Sequence, residues 1–174
     1  YEKIFRSMIF YIRIISLVAF SASISSWAAD WPTYQHDYAR SGVAGESLLT
    51  PFTERWVHQS KHEPRPAWRG EAKWDGYNKV YDMKSRQVFD YAYHTVIANG
   101  LLYFGSSADD KIYCLDVVTG KQMWVYFTEG PVRLAPTIVD GRVFVGSDDG
   151  HAYCLDAATG KLIWKTRLGP KDYR

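Results

Sequence analysis

The sequence predicts an all-β fold: a β-propeller of four-stranded blades, with about two blades in this chain forming the N-terminal part of a ring of roughly 7–8. Three observations carry that prediction. The stretch "DVVTGKQMW" at residues 116–124 returns as "DAATGKLIW" at 156–164, and a repeat of about 40 residues marks blades or solenoid turns. Both copies are rich in Val, Ile, Tyr and Phe, cut at short intervals by turn residues, which is the pattern of short strands. Helical signals are nearly absent from the same stretch.

The elements follow in order from the paired copies, "TVIANGLLYFGSSADDKIYCLDVVTGKQMW" from Thr95 and "TIVDGRVFVGSDDGHAYCLDAATGKLIW" from Thr137. Asn99-Gly100 and Asp140-Gly141 suit a type I′ turn, which needs positive φ at both central residues, so the first two strands of each copy form a hairpin. "SADD" and "SDDG" supply the second turn, and the Thr-Gly pairs the third, where Gly120 and Gly160 are free to adopt positive φ. Alternation places Val143 and Val145 on one face of the sheet and Phe144 with Gly146 on the other. Both faces are therefore apolar, and each sheet must stack on a neighbour. Asp116, Gly120 and Trp124, with Asp156, Gly160 and Trp164, are the repeat positions. The tryptophans read as anchors between blades in preference to ligand-stacking platforms.

The chain divides into residues 1–28, 29–57, 58–92, 93–134 and 135–174, the last two being the blades. In the first segment Lys3, Arg6 and Arg13 precede "IISLVAFSASI" and a small-x-small site at Ser26 and Ala28. That is the layout of a secretory signal cleaved after Ala28 or Ala29. The apolar run is short against the about 20 residues a spanning helix needs, so an uncleaved inner-membrane anchor is the second reading. Export places the protein in the periplasm or outside the cell, with the membrane a partner only through an uncleaved signal. The opening Tyr1 and the ending "GPKDYR" read as a fragment of a longer frame.

A content of 47% hydrophobic and 16% aromatic residues is that of a folded protein. The net charge of +2 resides in the signal segment, which holds three of the 21 basic residues and one of the 19 acidic ones. The remainder is balanced, and nothing argues for a nucleic-acid partner. Segment 58–92 is locally basic and aromatic. There Trp68, Arg69 and Trp74 are candidates for gripping an anionic or carbohydrate polymer, against the plainer reading of an irregular lid over one end of the blades.

Other chemistry-bearing residues favour structural roles. Cys114 and Cys154 occupy the same slot, "YCLD", of successive repeats, which sets them too far apart for a disulfide's limit of about 7 Å between Cα atoms. They read as small packing residues. His58 and His62 could share a helix face as a metal-ligand pair, but without a third ligand the signal is weak and chance is the better explanation of the spacing. Asp109, Asp110, Asp148 and Asp149 are ligand types that calcium takes, but aspartate in tight turns is ordinary turn chemistry.

"LDVVTGKQMW" and "LDAATGKLIW", each preceded by a Gly-Ser pair, an acidic turn and Tyr-Cys, resemble the quinoprotein-type (PQQ-like) propeller repeat over about residues 93–168. That repeat is shared by quinoprotein alcohol dehydrogenases and by the propeller lipoprotein of the bacterial outer-membrane barrel assembly machine. "DWPTYQHDYARSGV" is similar to the lead-in that precedes the first blade of exported bacterial propeller proteins. In those proteins an N-terminal strand commonly closes the ring, and "TPFTERWV" with Trp56 is the candidate here. The resemblance implies one of two functions. One is a non-catalytic exported scaffold that binds a protein or envelope component, with no cofactor assigned. The other is a dehydrogenase oxidising an alcohol or sugar through pyrroloquinoline quinone (PQQ), which requires a calcium ion, a catalytic aspartate and in many members a vicinal cysteine pair. No nucleophile, base and orienter set is legible in the two copies, and no catalytic residue is assigned.

Overall fold

A computed structural model describes residues 29–48, 50–67 and 91–170. Eight strands follow one another: β1 (Thr95–Ala98), β2 (Leu101–Ser106), β3 (Lys111–Asp116), β4 (Gln122–Phe127), β5 (Thr137–Val139), β6 (Arg142–Gly146), β7 (His151–Asp156) and β8 (Leu162–Arg167). They form two antiparallel four-stranded meanders, β1-β2-β3-β4 and β5-β6-β7-β8. These are two propeller-type blades, and no helix interrupts them.

The turns explain the meander. Asn99 and Gly100 have φ of 52° and 74°, and Asp140 and Gly141 have 48° and 69°, so both first hairpins close through two left-handed residues, whose twist matches that of the strands. Beyond each hairpin the pairing runs in register until two residues before the third turn. There β3 and β7 shift register against β4 and β8 between Cys114 and Leu115 and between Cys154 and Leu155. Such irregularities re-aim neighbouring side chains, and here they leave Trp124 opposite Cys114 and Trp164 opposite Cys154.

One core lies between the two sheets. Val96, Ala98, Tyr103, Ile112, Cys114 and Trp124 of the first blade meet Val143, Val145, Tyr153, Leu155 and Ala157 of the second, with Val132 and Ile138 between. Full burial of each aliphatic side chain stabilises by about 1.5–3 kcal/mol. Val132 fits only because residue 105 is glycine, since a Cβ there would stand 2.1 Å from Val132 Cγ1. The far face of the second blade is open: Trp164 is 40% exposed where its counterpart Trp124 is 9% exposed, with Phe144 beside Trp164 at 6.0 Å between ring centroids.

The lead-in lies along the first strands of both blades. Trp31 and Ile97 exchange backbone hydrogen bonds of 2.8 and 2.9 Å, and Ile138 N–H donates to the Pro32 carbonyl at 2.8 Å. The Tyr38 hydroxyl donates to the Ile138 carbonyl at 2.8 Å. These contacts satisfy backbone groups on the edges of β1 and β5 that have no strand neighbour. Among the described residues of 50–57 no strand forms, although Trp56 is well placed against the first blade. The expected signal, residues 1–28, lies outside the described residues.

Candidate functional site

The most constrained polar groups sit at the third turn of each blade. Asp116 Oδ1 accepts from the Thr119 amide and hydroxyl, both at 2.7 Å, and Asp156 Oδ1 accepts from those of Thr159 at 2.8 and 2.6 Å. The Gly120 and Gly160 amides return to the Asp116 and Asp156 carbonyls at 2.8 Å. The Thr119 side chain and amide hold the Asp116 carboxyl below the usual aspartate range, and Thr159 does the same for Asp156. Each aspartate thus staples its turn.

On that turn sits a tryptophan from the preceding unit. Trp124 Nε1–H donates to the Ala157 carbonyl at 3.0 Å, and a Cβ on Gly160 would meet the indole Cδ2 at 2.6 Å. Trp56 repeats the arrangement one unit earlier, donating to the Val117 carbonyl at 3.0 Å and covering Gly120, whose added Cβ would lie 2.6 Å from its Cδ2. Glycine is required at both turns, for a positive φ of 69° and 70° and for the space the ring occupies. Trp164, the third in the series, has no such turn to cover among the described residues.

The second turns hold the other acidic residues. Asp109 Oδ2 accepts from Lys111 Nζ at 2.8 Å and from the Tyr113 hydroxyl at 2.5 Å. Asp149 takes the same place 40 residues on, accepting from the Tyr153 hydroxyl and from the His151 and Glu129 amides at 2.9 and 3.1 Å. Burial pushes both carboxyls up, but these donors outweigh it and hold both below the usual range. Asp148 pairs with Arg133 at 2.6 Å, and the Asp110 carbonyl accepts from the Thr128 amide and hydroxyl, both at 2.9 Å. Among the described residues no group of three or more His, Cys, Asp or Glu side chains is arranged to hold a metal ion.

The histidine pair requires a correction. Residues 58–62 form no helix, so His58 and His62 share no helix face. Pro64 and Pro66 follow closely and remove two amide donors from any continuing helix. His58 packs edge-on against Phe104 at 5.4 Å between ring centroids, and the His62 carbonyl accepts from the Tyr93 hydroxyl at 3.0 Å. Cys114 and Cys154 are free, fully buried thiols in different sheets, and burial pushes the Cys114 thiol up to about 12. Trp68, Arg69 and Trp74 lie outside the described residues. Just before them, the Arg65 amide donates to Ser107 Oγ at 2.9 Å, laying the start of this segment over the second turn of the first blade.

At the ends where β1 and β5 begin, a cleft of about 390 Å³ opens between the lead-in and the blades. Arg40 and His94 stand at it beside the hydroxyls of Thr33, Tyr34 and Thr137. Sequence reasoning missed this grouping. It depends on left-handed backbone at Gln35, His36 and Arg40, with φ of 59°, 79° and 57°, and no glycine announces any of the three.

Stapled turns, indoles passed from unit to unit and four-stranded meanders define a propeller repeat of the quinoprotein type. Residues 56–173 match the family model described as outer membrane protein assembly factor BamB, and the chain belongs to that family. Comparison with curated proteins finds no match. Among solved structures, BamB from Moraxella catarrhalis is 24% identical over 39% of this chain, with a TM-score of 0.37. A europium-containing methanol dehydrogenase is 21% identical over 49%, with a TM-score of 0.40. The quinohemoprotein alcohol dehydrogenase ADHIIG from Pseudomonas putida HK5 is 25% identical over 48%, with a TM-score of 0.41. The matched parts span 21%, 18% and 14% of those three chains.

Proposed function

We propose that this chain is part of an exported propeller scaffold that binds a protein or another component of the cell envelope and performs no chemistry of its own. The observation that carries the reading is how the repeated polar residues are used. Asp116, Asp156, Asp109 and Asp149 are each engaged by donors of their own turn, and Trp124 is spent on the Ala157 carbonyl. The family's description as an assembly factor supports a protein partner. In this reading residues 1–28 direct export, and 50–57, which form no strand by themselves, supply the last strand of a blade whose other strands lie elsewhere in the whole protein, closing a ring of about 7–8 blades. Residues 68–74 extend the binding face with Trp68, Arg69 and Trp74.

The dehydrogenase reading, which requires a calcium ion and a quinone, is the second reading, because the polar residues of the two described blades are engaged in structural roles. The turn carboxylates already accept hydrogen bonds from hydroxyl, ammonium and amide donors, and the two cysteines are buried in separate sheets. The test is a calorimetric titration of the whole protein with PQQ in the presence of calcium, beside a crosslinking experiment in envelope fractions. The scaffold reading predicts no saturable quinone binding and discrete crosslinked species. Stoichiometric quinone binding with dye-coupled alcohol oxidation overturns it.

A further inference from the structure

The cleft between the lead-in and the blades belongs to neither the stapled turns nor the tryptophan slots. Its lining holds two cationic or protonatable side chains, Arg40 and His94, three hydroxyl groups and, among the described residues, no carboxylate. Among the described residues Arg40, which is exposed, has no ion pair and its side chain makes no hydrogen bond, a state it shares with Arg55, Lys121, Arg142 and Lys161 but not with Arg133, Lys111 and Lys165, which all face a carboxylate. The nearest acid in sequence, Asp37, is turned away to the Ser41 amide and hydroxyl at 2.9 and 2.6 Å. An arginine beside a recess, with hydroxyls around it and its own acid diverted, is a carboxylate receptor in its chemistry.

The recess is built from fixed parts. Thr33 and Thr137 share a hydrogen bond of 2.9 Å across the two segments, Tyr38 is tied to Ile138, and the Tyr34 ring meets His94 edge-on at 6.2 Å. Gln35, His36 and Arg40 are held in the left-handed region without being glycine, a strained backbone of the kind that concentrates at functional sites. Leu134, 74% exposed, and Ala135 give the cleft an apolar side. A volume of about 390 Å³ suits a small molecule.

We propose that this cleft binds a small organic carboxylate, with the acid on Arg40 and the hydroxyls and a short apolar group against Leu134 and Ala135. The site does not rest on the scaffold reading, since either propeller function accommodates it.

The test is a calorimetric titration of the whole protein with 3-methylbutanoate and with its neutral amide. A second pair of probes, Gly-Gly-Leu with a free or an amidated C-terminus, distinguishes a free acid from a chain end as the source. The acid is expected to bind at least tenfold more tightly than the amide in one pair or both. Arg40→Gln should abolish that preference, Arg40→Lys should keep part of it, and Lys121→Gln, at the turn at the other end of the blade, should leave it intact. All three should melt as the parent does. If acid and amide bind equally, if nothing saturates, or if Arg40→Gln leaves the preference unchanged in a folded protein, the proposal is wrong.

Discussion

Substituting Gly160 by alanine tests the tryptophan slot most sharply, because Gly141 provides a matched control. Both glycines have a similar left-handed φ, 70° and 69°. A Cβ at Gly141 meets nothing within 4 Å, whereas one at Gly160 would meet the Trp124 ring at 2.6 Å. Gly141→Ala therefore costs only backbone strain, about 1 kcal/mol once the alanine's smaller unfolded-state entropy is counted. Gly160→Ala adds displacement of an indole that is 9% exposed. The displaced ring loses its bond to Ala157, worth about 1 kcal/mol net, and part of its packing, worth about 1–2 kcal/mol. The expected totals are about 1 kcal/mol for Gly141→Ala and about 3–4 kcal/mol for Gly160→Ala. Urea denaturation of the protein and its variants measures both. In a Trp124→Leu background the cost of Gly160→Ala should fall toward the Gly141→Ala value, a coupling of about 2 kcal/mol. Equal costs for the two glycine variants, or strict additivity with Trp124→Leu, would refute the slot.

Three further outcomes follow from the same geometry. Asp156→Ala should lower the denaturation midpoint, and Asp156→Asn should lower it less, because the amide oxygen still accepts from Thr159; equal losses would count against the staple. Asp116, Asp156, Asp109 and Asp149 all have carboxyls held below the ordinary value of 3.8. Their contribution should be complete above the unfolded value of about 3.9 and disappear as the pH falls through the lower folded values, so a midpoint that is flat from neutral pH to strong acid contradicts it. Cys114, pushed up to about 12 by burial, should react with a thiol reagent at pH about 8 only as fast as the protein opens, and immediate labelling would show the thiol to be accessible.

Much of the fold was legible in the chain because its local chemistry is repeated. Asn99-Gly100 and Asp140-Gly141 can hardly form anything but tight hairpins, and the strands between them alternate in the way a stacked sheet requires. A single copy of "DVVTGKQMW" would have been ambiguous, but two aligned copies tie aspartate, glycine and tryptophan to one structural unit. Less legible was where each tryptophan goes. Trp124 lies in β4 of one blade but docks on the turn of the next, a partnership of |i−j| = 33 residues that no local pattern reports. The helical pairing imagined for His58 and His62 came from spacing alone, and spacing does not see Phe104 and Tyr113, whose rings hold His58. The cleft was illegible for a different reason. Its residues come from the lead-in, from the approach to β1 and from the approach to β5, and they meet only because Trp31, Pro32 and Tyr38 cross both blades.

The central claim is that each unit completes its apolar packing on the next one, as Trp56 does on the Gly120 turn and Trp124 on the Gly160 turn. An amide correlation spectrum of residues 1–174 produced alone tests it directly. The open face bearing Phe144 and Trp164 predicts aggregation or poorly dispersed signals without cooperative melting. Sharp, well-dispersed amides with a cooperative thermal transition would contradict it, because two blades would then suffice where the account requires a neighbour.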